Sequence, residues 1–184
     1  MSSQRLRCTL LALMAGVSLS SCQLAKSQAS DAASGPKQTV GWIEVGQIVD
    51  ADNTTEFKLD TGAKTTSINA EILAAPDAGS EAGGMIRFRF IDTDGDSQVF
   101  ERPIVEWVRI KDGAGGFFRR PVVTMELCVA GRWIEEKVNL ADREQFDYSV
   151  LIGRNMLEAG SLVVDASAKN VAATDCPERS EADS

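Results

Sequence analysis

The sequence predicts an all-β domain carrying one short helix and folded into a small closed or folded barrel. Three observations predict it. From Val40 to Val171, short runs rich in β-branched and aromatic residues alternate polar with apolar positions and are broken by Gly, Asp and Asn. A single segment, RNMLEAG at 154–160, has helical character and ends on glycine. No repeat of fixed period is visible, which excludes solenoids and propellers.

The elements follow in order. GWIEVGQIV (41–49) and TEFKLD (55–60) flank the turn formers between Asp50 and Asn53, giving a first hairpin. TTSINAEIL (65–73) reads as a strand running into a short helical turn. Around Asp94-Gly95, the segment 85–110 alternates on both sides of a strong hairpin signal. Two more hairpins turn at GAGG (113–116) and at Ala130-Gly131. The helix then closes at Gly160 in a C-cap position, and SLVVDA (161–166), with NVAA (170–173), returns to strand.

The chain has 184 residues, enough for one domain with a real core plus tails. Its formal charge of −8 argues against nucleic acid, which demands a cationic surface. There is no histidine, so Ser-His-Asp and Cys-His catalysis and His-containing zinc sites are excluded. Residues 1–21 combine Arg5 and Arg7, an apolar run from Cys8 to Val17, and small residues before a cut site. That is the pattern of a secretory signal, too short to span a bilayer. Its Leu19-Ser20-Ser21-Cys22 ending resembles the bacterial lipobox, which implies acylation of Cys22 as the mature N-terminus. Gln23 in place of aspartate points to the periplasmic face of the outer membrane, by analogy with lipoprotein sorting. The membrane partner is then reached only through the lipid.

Cleavage would take the formal charge to −10 by removing Arg5 and Arg7. Residues 22–38 read as a flexible tether, small and polar with no apolar period, reaching roughly 20–25 Å. The domain is expected over 39–173 and a disordered acidic tail over 174–184. Cys128 and Cys176 remain; one disulfide or two free thiols are both open on spacing alone.

Asp60-Thr61-Gly62 ends one strand and precedes another. A tight turn that presents a carboxylate, with glycine permitting the backbone path and a hydroxyl alongside, suits an aspartic protease; alone, the tripeptide could equally be a plain turn. Downstream, Leu151-Ile152-Gly153-Arg154 places two apolar residues before glycine and then a short helix. Together these resemble the retroviral aspartic proteases, the retropepsins, in which the second strand crosses behind the catalytic loop. The glycine-tipped hairpin IKDGAGGFF stands where retropepsins carry the flap. A closer resemblance is to the bacterial retropepsin-like family often labelled ATP-dependent zinc protease. It rests on Gly41-Trp42, Asp60 to Thr65, Arg120 to Val123, Leu151 to Arg154 and Val163 to Asp165. No zinc ligand set and no Walker-type loop is present, so no metal and no cofactor is expected.

The resemblance implies a homodimer, because two carboxylates ~3 Å apart must share one proton, while this chain has one Asp-Thr-Gly. Asp60, Thr61 and Gly62 would be catalytic, with Thr61 bonding across the dyad. Ala63, Lys64, Gly115, Gly116 and Phe117 or Phe118 would meet a peptide or protein substrate. Leu151, Ile152, Gly153 and Arg154 would be structural. Retropepsins commonly have aspartate where Lys64 stands, paired with the arginine of Gly-Arg-Asn. Lys64 cannot make that pair, so Arg154 is expected to need another acidic partner. With Arg119 and Arg120, these cations would favour acidic substrates.

The leading function is thus an aspartic endopeptidase. Rivals are a catalytically inactive binding or scaffold lipoprotein of the same fold, and a peptidase acting on unusual amide links such as acidic peptide tags or peptidoglycan cross-bridges. Weaker signals resolve blandly: Asp92, Asp94 and Asp96 lack the glycine and closing glutamate of a calcium loop. Trp42, Trp107 and Trp133 read as strand packing, and Glu135-Glu136 as a solvated hairpin face.

Overall fold

The structure, a computed structural model, describes residues 36–51, 53–77, 82–111 and 115–178. The signal segment, Cys22, most of the tether and Gly113 lie outside these residues. Nine strands and one helix follow in order: β1 (Gln38–Ile48), β2 (Thr54–Leu59), β3 (Thr66–Ala74), β4 (Met85–Ile91), β5 (Ser97–Lys111), β6 (Phe117–Val129), β7 (Arg132–Ala141), β8 (Val150–Ile152), α1 (Arg154–Ala159) and β9 (Leu162–Lys169).

All nine strands belong to one sheet, ordered β4-β5-β6-β7-β3-β8-β2-β1-β9, and two further pairings, β4 with β3 and β6 with β1, turn it back on itself. The expected closed or folded barrel therefore takes the form of two rings of strands that share β6, β7 and β3. Their interior holds the core, with Phe57, Ile68, Ile86, Phe88, Val123, Leu127 and Ile152 fully or almost fully buried. Phe88 and Phe100 stack at 5.6 Å inside it.

The hairpin expected at Ala130-Gly131 turns there. Ala130 and Gly131 both take positive φ, 54° and 73°, the backbone that a two-residue hairpin loop requires. Two expectations are corrected. The segment 65–73 has no helical turn: β3 stays extended to Ala74 because its far half pairs antiparallel with β4, from Ala70↔Phe90 to Ala74↔Arg87. Residues 170–173 do not form a strand either. Asn170, at φ 50°, turns the chain, and the N–H groups of Val171 and Ala172 donate to the buried carboxylate of Glu44 instead of to a neighbouring strand.

Gly160 does cap α1, but for a different reason than a left-handed cap. Its φ is −79°, and Ser161 takes the positive φ of 53°. A Cβ on Gly160 would lie 2.5 Å from Ile134 Cδ1, the end of a side chain that would have to turn aside to admit it. Of the expected acidic tail, residues 174–178 are described. Cys176 is joined to Cys128 by a disulfide, and Trp133 Nε1 donates to the Pro177 carbonyl at 2.9 Å.

Candidate active site

β2 and β3 run in opposite directions on either side of the loop 60–65, and β8 lies between them. It is parallel to β2, with Leu59↔Ile152, and antiparallel to β3, with Ile68↔Val150. The loop thus straddles the end of β8. Asp60 N–H donates to the Ile152 carbonyl at 2.9 Å, seating the aspartate at that end. Gly62 N–H donates to Asp60 Oδ1 at 2.8 Å and Ala63 N–H to the Asp60 carbonyl at 3.2 Å, so the turn orients its own carboxylate. Asp60 is half-buried, while Thr61, Gly62 and Lys64 are exposed.

Where β8 ends, the backbone passes too close for a side chain. A Cβ on Gly153 would lie 2.5 Å from the Thr65 carbonyl carbon. That contact is with backbone, which cannot swing aside, so glycine is needed here.

The first turn of α1 then holds the loop. Helix N-termini leave N–H groups without intrahelical partners, and here the loop supplies the acceptors. Arg154 N–H donates to the Ala63 carbonyl at 2.9 Å and Asn155 N–H to the Lys64 carbonyl at 3.2 Å. The Arg154 side chain adds two more bonds, from Nη1 to the carbonyls of Thr61 and Gly62, both at 2.9 Å. Four successive loop carbonyls, 61 to 64, are thereby taken up by residues 154 and 155. The acidic partner expected for Arg154 is replaced by these backbone oxygens, so the arginine keeps a structural task although Lys64 cannot pair with it.

Asn155 fixes the other side of the loop. Its Oδ1 accepts from Thr66 N–H (2.9 Å) and Thr66 Oγ1 (3.1 Å), and its Nδ2 donates to the Lys137 carbonyl (2.9 Å) and to Glu136 Oε2 (3.2 Å). Glu136 is therefore half-buried in this network, whereas Glu135 is exposed as expected. Gly153 N–H in turn donates to Thr66 Oγ1 at 3.1 Å.

A buried arginine that the sequence reading passed over lies close by. Arg143 follows β7, with its Nε on the Tyr148 carbonyl at 3.1 Å, Nη1 on Ser67 Oγ at 3.2 Å, and its guanidinium over the Phe146 ring at 4.7 Å. Burial lowers its pKa most, repulsion from Arg120 lowers it further, and attraction to Asp60 opposes both. Burial likewise lowers Arg120. Both remain cations at neutral pH, each stabilised less by water than a surface arginine. No residue pattern around Arg143 marks it as special, since loop arginines are common and its packing is a tertiary fact.

A cleft of about 440 Å3 opens beside Arg120, bordered also by Arg119, Phe118, Ala70, Asp142 and Phe146. It lies against the stem of the β5–β6 hairpin, the expected flap. Phe118 borders the cleft, while Phe117 packs beneath Arg109 at 4.4 Å. Gly115 takes φ 89°, which suits glycine at the hairpin tip. The structure thus brings Asp60 to Lys64 together with Leu151 to Arg154, and sets Gly115, Gly116 and Phe117 on the separate hairpin. Among the described residues no group of three or more metal-ligating side chains is placed to hold a metal ion. The Asp92 carboxylate accepts from the N–H groups of Asp94 and Asp96 within its own turn.

An aspartate-bearing loop straddling a crossing strand is the arrangement expected of a retropepsin-like fold. Residues 39–175 match the family model described as the retropepsin-like aspartic endopeptidase RimB, and the chain belongs to that RimB-like family. Among solved structures, it resembles a protein of unknown function (DUF785) from Legionella pneumophila subsp. pneumophila str. Philadelphia 1. The two share 28% identity over 74% of this chain and 98% of the other, with a TM-score of 0.62. No curated protein matches the chain.

Proposed function

We propose that the protein is an aspartic endopeptidase whose water is activated between Asp60 of one subunit and Asp60 of a second, related by a twofold axis. One observation carries the reading. Residues 154 and 155 hold four consecutive loop carbonyls, while the single carboxylate on that loop is oriented by Gly62 and left half-exposed. A fixed backbone presenting one acid outward is half of a proton-sharing dyad, and a symmetry-related copy supplies the other half. One carboxylate then takes a proton from water as the other gives one to the carbonyl oxygen. Thr61 bonds across the dyad and Gly62 lets the substrate backbone approach.

The same reading favours substrates with acidic side chains. Arg120 and Arg143, partly withdrawn from water, sit on the Asp60 side of the molecule, and Lys64 is exposed next to the loop. Export and anchoring through Cys22, facing the periplasm from the outer membrane, complete the proposal on the strength of the N-terminal sequence.

The experiment is cleavage of a mixed peptide library by the wild-type chain and by Asp60→Asn. Wild-type cleavage that Asp60→Asn abolishes while the variant stays folded, with Asp or Glu enriched around the cut bond, is expected. Cleavage by the variant would overturn the aspartic mechanism, and a dimer that cleaves nothing would favour the inactive binding module. Cleavage without acidic enrichment would remove the substrate preference alone.

A further inference from the structure

The distal β5–β6 hairpin carries an unusual arrangement of charge for an acidic protein. Strand alternation sets Trp107, Arg109 and Lys111 of β5 on one face with Phe117 and Arg119 of β6. In the register, Arg109 stands directly opposite Arg119, a like-charge pairing that is ordinarily unfavourable. Each guanidinium is drawn over a ring on this face, Arg109 over Phe117 at 4.4 Å and Arg119 over Trp107 at 5.3 Å. Arg109 and Lys111 take part in no ion pair among the described residues. Phe117 is 51% exposed at the end of this row. Three cations and an exposed ring are thus concentrated on one hairpin face of a chain with a formal charge of −8.

We infer that this face is a docking surface for an anionic phospholipid bilayer, with Arg109, Lys111 and Arg119 meeting lipid phosphates and Phe117 entering the headgroup layer. The charge is complementary, and the interleaving of basic and aromatic side chains is the chemistry of an interfacial membrane contact. Nucleic acid fits less well. Base stacking needs open ring faces, whereas Trp107 packs against the core on one side and has Arg119 over its ring. The test of this inference requires no turnover.

The test is co-sedimentation of the full chain with phosphatidylcholine vesicles, with and without phosphatidylglycerol, at low and high salt. Each exposed cation at an anionic membrane changes binding about five-fold, so Arg109→Gln/Lys111→Gln/Arg119→Gln should weaken binding to phosphatidylglycerol vesicles about 100-fold at low salt. Binding to neutral vesicles, which reports the apolar N-terminal segment, should be the same for both proteins. Arg109→Lys/Arg119→Lys, with an unchanged thermal midpoint, should bind as the wild type does and so separates loss of charge from loss of fold. The inference is overturned if the triple variant binds phosphatidylglycerol vesicles as tightly as the wild type. Equal binding of the wild type to neutral and anionic vesicles, or displacement from the vesicles by single-stranded nucleic acid at comparable concentration, would also overturn it.

Discussion

Arg154 Nη1 stands 2.9 Å from the carbonyl oxygen of Thr61, the residue beside the candidate catalytic aspartate, and equally close to that of Gly62. The arginine thereby neutralises oxygens that would otherwise repel a carboxylate on the same loop. It also explains how the loop keeps its shape although Lys64 occupies the position where an acidic partner is usual.

Replacing Arg154 by Met should remove both bonds and keep the stem. Hydrogen bonds to a charged donor are worth about 1.5–3 kcal/mol when sheltered, and Arg154 is exposed, so a combined loss of about 1–2 kcal/mol is expected in urea unfolding. Amide exchange at residues 61–64 should rise as well. An unchanged midpoint with unchanged exchange would show that the clamp does not hold the loop.

Gly153→Ala and Gly160→Ala form a matched pair. Each introduced Cβ would sit 2.5 Å from a neighbour, but at Gly153 that neighbour is backbone at Thr65 and at Gly160 it is the end of the Ile134 side chain. Gly153→Ala should cost more, about 1–3 kcal/mol as an overpacked site, and Gly160→Ala less because Ile134 can rotate. The reverse order of denaturation midpoints would contradict the close crossing of β8.

The disulfide between Cys128 and Cys176 closes a separation of 48 residues. In the chain-entropy model that stabilises by about 4 kcal/mol. Reduction should therefore lower the thermal midpoint markedly and raise exchange at 171–178, with Trp133 emission shifting as its bond to Pro177 is lost. A midpoint indifferent to reductant would contradict the covalent fastening of this segment.

Asp165 receives hydrogen bonds from the side chain and then the backbone of Ser167, and both hold its carboxyl below the usual carboxylate range. A group depressed in the folded state contributes stability that is present above its unfolded value of about 3.9 and is lost as pH falls through its folded value. Carboxyl NMR titration should give a midpoint below the ordinary one, and Ser167→Ala should raise it. Identical titrations in the two proteins would dismiss the Ser167 contribution.

The sequence was most informative where chemistry demanded a particular residue. Asp60-Thr61-Gly62, Gly153 and the Ala130-Gly131 turn could be placed because a carboxylate, a close approach and two positive φ angles each restrict the choice. The acceptors of Arg154 were not legible, since every residue has a carbonyl and only the fold decides which ones converge. Arg143 was missed for a similar reason: its burial against Phe146 depends on the return of the chain from β7 to β8. The end of β3 was misjudged because AEIL at 70–73 suits a helix locally, and its pairing with β4 overrides that preference.

The most direct test of the central claim mixes wild-type chain with Asp60→Asn at fixed total concentration and measures peptide cleavage after the subunits have exchanged. If the dyad is formed across a dimer, a mixed dimer has one Asp60 and is inactive, so activity should fall as the square of the wild-type fraction. A linear fall would mean that each chain carries a complete site, contradicting the shared dyad.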